Sequence, residues 1–532
     1  MTTWASIKSG AQGYYQTCWK PETTLSEAAN DLTTAPLHSA GDSTTRLDIA
    51  IYAFLLLFAG ALPLAKSVAQ SAYSIALVLW LAKLIFRRER PLQQPLIPAL
   101  LAFISLSAIS SVLSPTPVVT WHVMKQVALL LIAVLVAQNL RTLRQIKTVV
   151  LVLIASTLVS IGYTGWQYAH GIGAEVVNVA PGTELAGAGL LTHDIILKVD
   201  RHRVHTPTEL ASAIRRMDPK RPVKLQFGRG DWLKKFDTQV SAGALQRAQF
   251  VLARPPRAQG SLGYTVTYAH VLLQVALLAW GLLLAATVAR KRFKWVLLIV
   301  FVLICVTLGA TVTRAALLSL CVAGVVTFWV VVPRGVARGF SIAAVVLVVL
   351  AASLWVHRER GIGMVATGDA GTQYRLLMWE DGLRLIRQHP VFGVGMDSIK
   401  LLWRQYHLRA YERFQFHSHF HSEPIQIAAE RGLPVLAAWI WLMVLYVRLL
   451  LRMLRHTSGS GWVLRGIALG MFGAAVGFLV STLVHSPLTD SATQMTLWLL
   501  MGTTIAFDRS LGAETALVVV APERHDETAR AA

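Results

Sequence analysis

The chain of 532 residues is 54% hydrophobic and only 15% charged, with a mean hydropathy of +0.52, whereas soluble domains carry about 25% charged residues. Its net charge of +22 does not mark a nucleic-acid binder. The basic residues gather at the ends of apolar runs, as membrane topology requires, and no nucleic-acid motif accompanies them; some serve anionic lipid or pyrophosphate instead. Cys18, Cys305 and Cys321 give neither a disulfide framework nor a metal-binding spacing.

Residues 1–46 are polar, have no apolar core of signal-peptide type and read as a cytoplasmic tail. Apolar runs of about 20 residues then recur, each long enough to cross about 30 Å of hydrocarbon as a helix that satisfies its own backbone. About twelve spans are expected, at 49–65, 70–86, 95–113, 121–137, 148–166, 268–289, 293–310, 313–332, 340–356, 433–451, 463–484 and 493–507. Lysine and arginine follow every even-numbered span, as at Arg87-Arg88, Arg141, Arg144, Arg290-Lys291-Arg292, Arg334, Arg338, Arg448 and Arg452. Both termini are therefore expected in the cytoplasm. Two polar inserts, near 170–266 and 357–432, follow odd-numbered spans and are expected on the opposite side. The division is a tail 1–46, spans 1–5 in 47–169, the first insert 170–266, spans 6–9 in 267–356, the second insert 357–432, spans 10–12 in 433–508 and a tail 509–532. The expected fold is an all-α polytopic membrane protein of about 12 transmembrane helices with a small α+β domain inserted after the fifth span.

The first insert has alternating apolar residues at Val176–Val179, Ile195–Val199 and Val223–Arg229, with a Pro181-Gly182 turn. Val176 through Thr183, Ala188-Gly189-Leu190, Asp194 through Asp200, and the helical stretch 208–215 resemble a bacterial PDZ domain. Two positions depart from that pattern. His193 stands where glycine usually precedes the aspartate, and Arg201 where glycine usually makes the turn, so strain is expected at Arg201 if its φ is positive. The resemblance implies a peptide or protein partner added as a strand, with Gly171-Ile172-Gly173-Ala174 a weak carboxylate-binding loop. A spacer packed on the membrane part is the alternative.

The second insert holds His417, His419 and His421. Histidine is the side chain best suited to proton transfer near neutral pH. Ser422 and Pro424 read as a helix start, whose positive end disfavours imidazolium. Alternation puts the three histidines on one face, but no carboxylate or cysteine completes a metal site, and none is assigned. His421-Ser422, nine residues, then Gly432 resembles the signature of the O-antigen ligase and polymerase superfamily, with Val435 in place of its second glycine. Glu430 stands where these proteins often carry glutamate. Arg375, Trp379, Arg387, His389-Pro390 and Gly393-Val394-Gly395 match its upstream pattern, and Thr311–Ala315 resembles its Thr-x-Ser-Arg-Gly element.

The resemblance implies a glycosyltransferase that needs no metal or other cofactor. It would move a glycan from a polyprenyl diphosphate donor to a glycan or lipid A-core acceptor on the periplasmic face of the bacterial inner membrane. Arg314 and Arg375 would hold the diphosphate, since arginine stays charged and binds phosphate in a fork. His421 would be the general base, a role typically worth roughly 10²–10⁴-fold, with His419, Glu430 and Asp490 in support. A boundary arginine can equally snorkel. Trp379 and Trp403 read as interfacial anchors, and Arg404, Arg409 and Arg413 as a basic surface toward lipid. A polymerase and a protein O-oligosaccharyltransferase share the donor and differ in acceptor. An intramembrane protease needs His-Glu-x-x-His, which the sequence lacks. A polysaccharide transporter or a PDZ-bearing scaffold is the non-enzyme reading, but no matched pair of broken spans supports transport.

Overall fold

The computed structural model describes residues 46–87, 94–230, 233–332, 370–414 and 418–520. The ninth expected span, His417, nearly all of the N-terminal tail and residues 521–532 of the C-terminal tail lie outside the described residues. Among the described residues six helices come first: α1 (Arg46–Ala61), α2 (Lys66–Arg87), α3 (Leu96–Val112), α4 (Pro117–Ala128), α5 (Leu131–Asn139) and α6 (Leu143–His170). The first insert follows. Then come α10 (Thr265–Val288), α11 (Lys294–Ala310), α12 (Arg314–Val331), the second insert, α16 (Leu433–His456), α17 (Trp462–Thr482) and α18 (Ser491–Val520).

Seven described helices are long and apolar enough to cross a membrane, with α4 and α5 counted as one continuous stretch. The twelve expected spans are therefore not all matched. The helices Leu96–Val112 and Lys294–Ala310 are apolar but have 17 residues each; at 1.5 Å per residue that is about 25 Å, short of about 30 Å of hydrocarbon.

Close helix packing rests on small residues. Along α17, Gly466, Gly470, Gly473 and Gly477 meet Leu282, Leu278 and Leu277 of α10 in descending order, so the two helices run antiparallel. A Cβ on Gly281 would lie 2.1 Å from the Gly470 nitrogen. Without a hydrophobic drive between helices in lipid, such backbone approach is what holds them. The Trp280 indole NH donates to the Gly324 carbonyl of α12 at 3.0 Å. In α2 the fully buried Lys83 pairs with Asp48 of α1 at 2.7 Å and donates to Asn139 of α5 at 3.3 Å, so a buried charge is matched rather than left bare.

The first insert comprises β1 (Gly173–Val176), α7 (Glu184–Gly187), β2 (Ile195–Val199), β3 (His202–Arg203), α8 (Pro207–Ile214), β4 (Pro222–Arg229), β5 (Lys234–Ser241), α9 (Ala242–Arg247) and β6 (Phe250–Ala253). The sheet is antiparallel in the order β5-β4-β2-β1-β6, with β3 on β2. Thr183 and Thr206 cap α7 and α8 with their hydroxyls. The buried Asp194 receives both a bidentate Arg229 fork, at 2.7 and 2.6 Å, and the Leu191 amide. Positive φ falls on His193 (70°) and Asp200 (51°) rather than on Arg201. The strain expected at Arg201 is thus taken up one residue earlier, by an aspartate whose side chain also receives the Lys224 amide. Asp tolerates this region better than most residues.

The second insert folds as α13 (Ala370–Gln388), α14 (Arg409–Phe414) and α15 (Glu423–Arg431). A Cβ on Gly382 of α13 would lie 2.5 Å from Ile425 and 3.0 Å from Phe420, which lets α13 pack on α15. The fully buried Asp381 accepts from the backbone and the guanidinium of Arg409, each at 2.9 Å. Arg409, whose side chain is half exposed, is thus paired with Asp381 and Glu380. The insert docks on the end of α3, where the Ser110 hydroxyl donates to the Phe392 carbonyl at 2.7 Å and the Thr116 and Ser398 hydroxyls bond.

Candidate functional site

The loop 418–422 enters α15 at the Ser422-Glu423 junction, with Ser422 at the cap position and Pro424 in the first turn. The Ser422 side chain makes no capping bond, contrary to the expected cap. The loop is held elsewhere. The Phe420 amide donates to Gln426 Oε1 at 2.8 Å, and the Tyr411 hydroxyl bonds the Ser418 carbonyl. So fixed, His421 adopts a left-handed backbone with φ +54°, a conformation that costs about 1–3 kcal/mol in a non-glycine residue and clusters at functional sites.

His421 and His419 lie ring to ring at 4.2 Å. A third imidazole comes from the far end of the chain: His485, in the turn between α17 and α18, lies 5.4 Å from His419 and 6.3 Å from His421. His270 of α10 stacks on His485 at 4.6 Å. The rings are half-buried, yet His419 Nε2 and His421 Nδ1 are closed off from solvent and have no hydrogen-bond partner. Burial pushes His419 down to about 4, helped by the charges of Lys400 and Arg375. His421 is held well below the usual histidine range by burial, then by His419 and Arg375, and His485 likewise by burial, then by its histidine neighbours and Arg375. All three rings are neutral at neutral pH, as both a proton acceptor and a metal ligand must be.

One nitrogen from each of His419, His421 and His485 lies within 4.8 Å of the others. Among the described residues this is the set that could hold a cation, and an all-imidazole donor set suits zinc. The expected trio included His417; the third ring brought in is His485, which sequence spacing did not single out. Arg375 acts electrostatically on all three imidazoles, so this arginine is brought to the cluster. Tyr374 beside it meets His421 edge-on at 5.7 Å.

The remaining motif residues build the floor. Gly432 has φ +93°, and a Cβ there would sit 2.0 Å from the Val391 carbonyl oxygen. Gly393 has φ +64° and would meet the Glu430 carbonyl carbon at 2.4 Å. The amides of Val394, Gly395 and Leu433 donate to Ala429, Glu430 and Pro390 at 2.9, 2.8 and 2.7 Å. The Gly-x-Gly run and the His-Ser…Gly signature are thus two sides of one backbone contact. Glu430 Oε1 accepts the Asp397 amide at 3.0 Å, a role in the floor of the site. Glu423 Oε2 accepts the Leu488 amide at 2.9 Å. Burial raises both carboxyls to about 7. Asp490 accepts the Thr493 amide at 3.0 Å and so caps α18. Arg314 opens α12, on the turn after α11.

In the first insert, the loop Gly171-Ile172-Gly173-Ala174 is engaged within the domain. The Ile172 amide donates to the Ala253 carbonyl at 2.9 Å, and Gly173 and Ala174 pair with β6. β6 is one edge strand of the sheet, β5 the other, and on β6 Val251 and Leu252 are exposed.

Residues 299–440 match the family model described as O-antigen ligase, and residues 142–240 match the model of the PDZ domain. The two matches support an O-antigen ligase-type protein with an inserted PDZ domain. The ligase match contains Arg314, Arg375, His419, His421 and Gly432 but neither His270 nor His485. The PDZ match begins at Thr142, takes in the whole of α6 and stops short of β6. No curated protein matches the chain. The family supports an O-antigen ligase or polymerase type of function with glycan and lipid substrates, and the PDZ domain suggests peptide binding.

Proposed function

We propose that this ligase-type protein is a multi-pass inner-membrane glycosyltransferase that moves a glycan from a polyprenyl diphosphate carrier to an acceptor hydroxyl, on lipid A-core or a similar glycolipid, at the periplasmic face. The observation that carries this reading is His421: a neutral imidazole on a strained loop, with an unpartnered inward nitrogen, within the electrostatic reach of Arg375. The acceptor oxygen attacks the anomeric carbon and the bond from that carbon to the diphosphate oxygen breaks. The diphosphate leaves with the bonding electrons, and the acceptor proton passes to His421. Arg314 and Arg375 bind the charge that develops on the leaving group. Arrival of the anionic donor raises the basicity of the buried imidazole, so the base strengthens when the substrate is in place. His419 supports His421. The reaction as written needs no metal.

The experiment is disruption of the gene with complementation by wild type or His421→Ala. Carrier-linked long chains accumulating without lipid A-linked product identify a ligase; single repeat units on the core identify the polymerase reading. Undiminished surface polysaccharide from a correctly inserted His421→Ala chain would overturn the assignment.

A second reading rests on the three-imidazole cluster. His419, His421 and His485 would hold the cation, which would supply Lewis-acid activation of the acceptor hydroxyl in place of a base.

A further inference from the structure

The linker between the PDZ domain and α10 is built into the membrane part. Ala258 donates its amide to the Ala310 carbonyl at 2.9 Å, at the end of α11. The Ser261 hydroxyl donates to the Leu64 carbonyl at 2.5 Å. Gly260 has φ +55° and lies so close to Tyr268 that a Cβ would meet the ring at 2.8 Å. Arg257 is the centre of this contact. It is 4% exposed, and its guanidinium grips a single turn: Nε donates to the Thr311 carbonyl at 2.7 Å, and Nη2 donates to the Val312 carbonyl at 3.1 Å and to the Thr313 hydroxyl at 3.2 Å.

That turn carries strain. Val312 has φ +50°, a left-handed conformation that is a genuine outlier for a β-branched residue. The Thr313 hydroxyl, at the cap position of α12, makes no capping bond; it is taken up by Arg257 and Thr311. The next residue is Arg314. A strained backbone persists only where its surroundings over-determine it, and here a buried arginine from outside the ligase-family match supplies three of the bonds that do so.

We propose that Arg257 is a positioning residue: by clamping the 311–313 turn it sets the orientation of Arg314 toward an anionic diphosphate. Because Arg257 lies four residues beyond the last PDZ strand, it also joins that domain rigidly to the donor site. The proposal rests on the reading of Arg314 as a diphosphate ligand.

The test uses the full-length chain in nanodiscs and undecaprenyl diphosphate as the probe, with size exclusion and thermal unfolding measured alongside. Arg257→Ala and Arg314→Ala are each expected to weaken binding tenfold or more. Arg257→Lys, which keeps the charge but not the fork, should fall between. Adding Val312→Gly to Arg257→Ala should recover most of the affinity, because glycine takes a positive φ without strain. If Arg257→Ala does not accumulate, Arg257→Lys alone and with Val312→Gly carries the same comparison. If Arg314→Ala weakens binding while folded Arg257 variants bind as wild type, the clamp is overturned and the Arg314 reading stands. If neither weakens binding, both are overturned. A loss of thermal stability without loss of affinity reduces Arg257 to a structural role and also overturns the proposal.

Discussion

The carboxylate of Glu423 accepts the backbone NH of Leu488 at 2.9 Å. Glu423 lies two residues after His421 and Leu488 three residues after His485, so this one bond fastens together the two segments whose imidazoles meet. Both groups are buried, and a buried amide that loses its acceptor costs about 1–3 kcal/mol. Glu423→Ala is expected to lower the unfolding temperature in detergent and to reduce glycan transfer at least tenfold. Glu423→Gln keeps an acceptor and should retain most of both. Equal loss in the two variants would show that the charge, not the bond, matters.

Transfer activity should show an unusually acidic limb. An unperturbed histidine base would titrate near 6.5, but His421 sits well below that value. The pH profile of kcat/KM, which reports the free enzyme, is expected to fall on its acid side with a midpoint below that ordinary histidine value. A midpoint at 6.5 or above would contradict the buried-base geometry.

Stability should respond to pH in two opposing windows. The histidines are depressed, to about 4 for His419, so below 6.5 the unfolded chain binds protons that the fold refuses, and stability falls as pH drops from 6.5 toward 4. Glu423 and Glu430 are raised from 4.5 to about 7. Between those values the fold holds protons that the unfolded chain has released, so their contribution falls as pH rises through that window. The two windows overlap between 4.5 and 6.5, so Glu430→Gln, which removes one of the two carboxyl contributions, should lessen the decline above 6.5 and steepen the rise with pH below it in a thermal-shift series.

Gly432→Ala should be severe. Its φ of +93° and the 2.0 Å approach of the Val391 oxygen leave no room for a methyl group, so the loss is expected to exceed about 1 kcal/mol and to disturb the His421 loop. Gly459→Ala, where an added Cβ meets nothing within 4 Å, is the control and should be neutral. Comparable effects of the two in a melting assay would refute the backbone-contact account of the signature glycine.

Metal analysis separates the two readings of the imidazole cluster. The proton-transfer reading expects no stoichiometric transition metal in the purified chain and no loss of transfer on chelation. One zinc per chain, lost in His485→Ala, would establish the metal-held alternative.

The sequence by itself determined the membrane class, the inserted PDZ domain and the ligase-type signature. These are written in local patterns: apolar run length, alternation, and the spacing of His421, Ser422 and Gly432. It also put Arg375 and His421 in the same insert, where the two interact electrostatically. What it did not carry is which distant residues meet. His485 stands 64 positions beyond His421 in an unremarked turn, Glu423 looks like any first-turn acid, and Arg257 reads as a basic linker residue. Only the tertiary structure decided that His485 and Glu423 meet their partners at the histidine cluster and that Arg257 grips the 311–313 turn, because these contacts join segments far apart in the chain and leave no mark in local spacing.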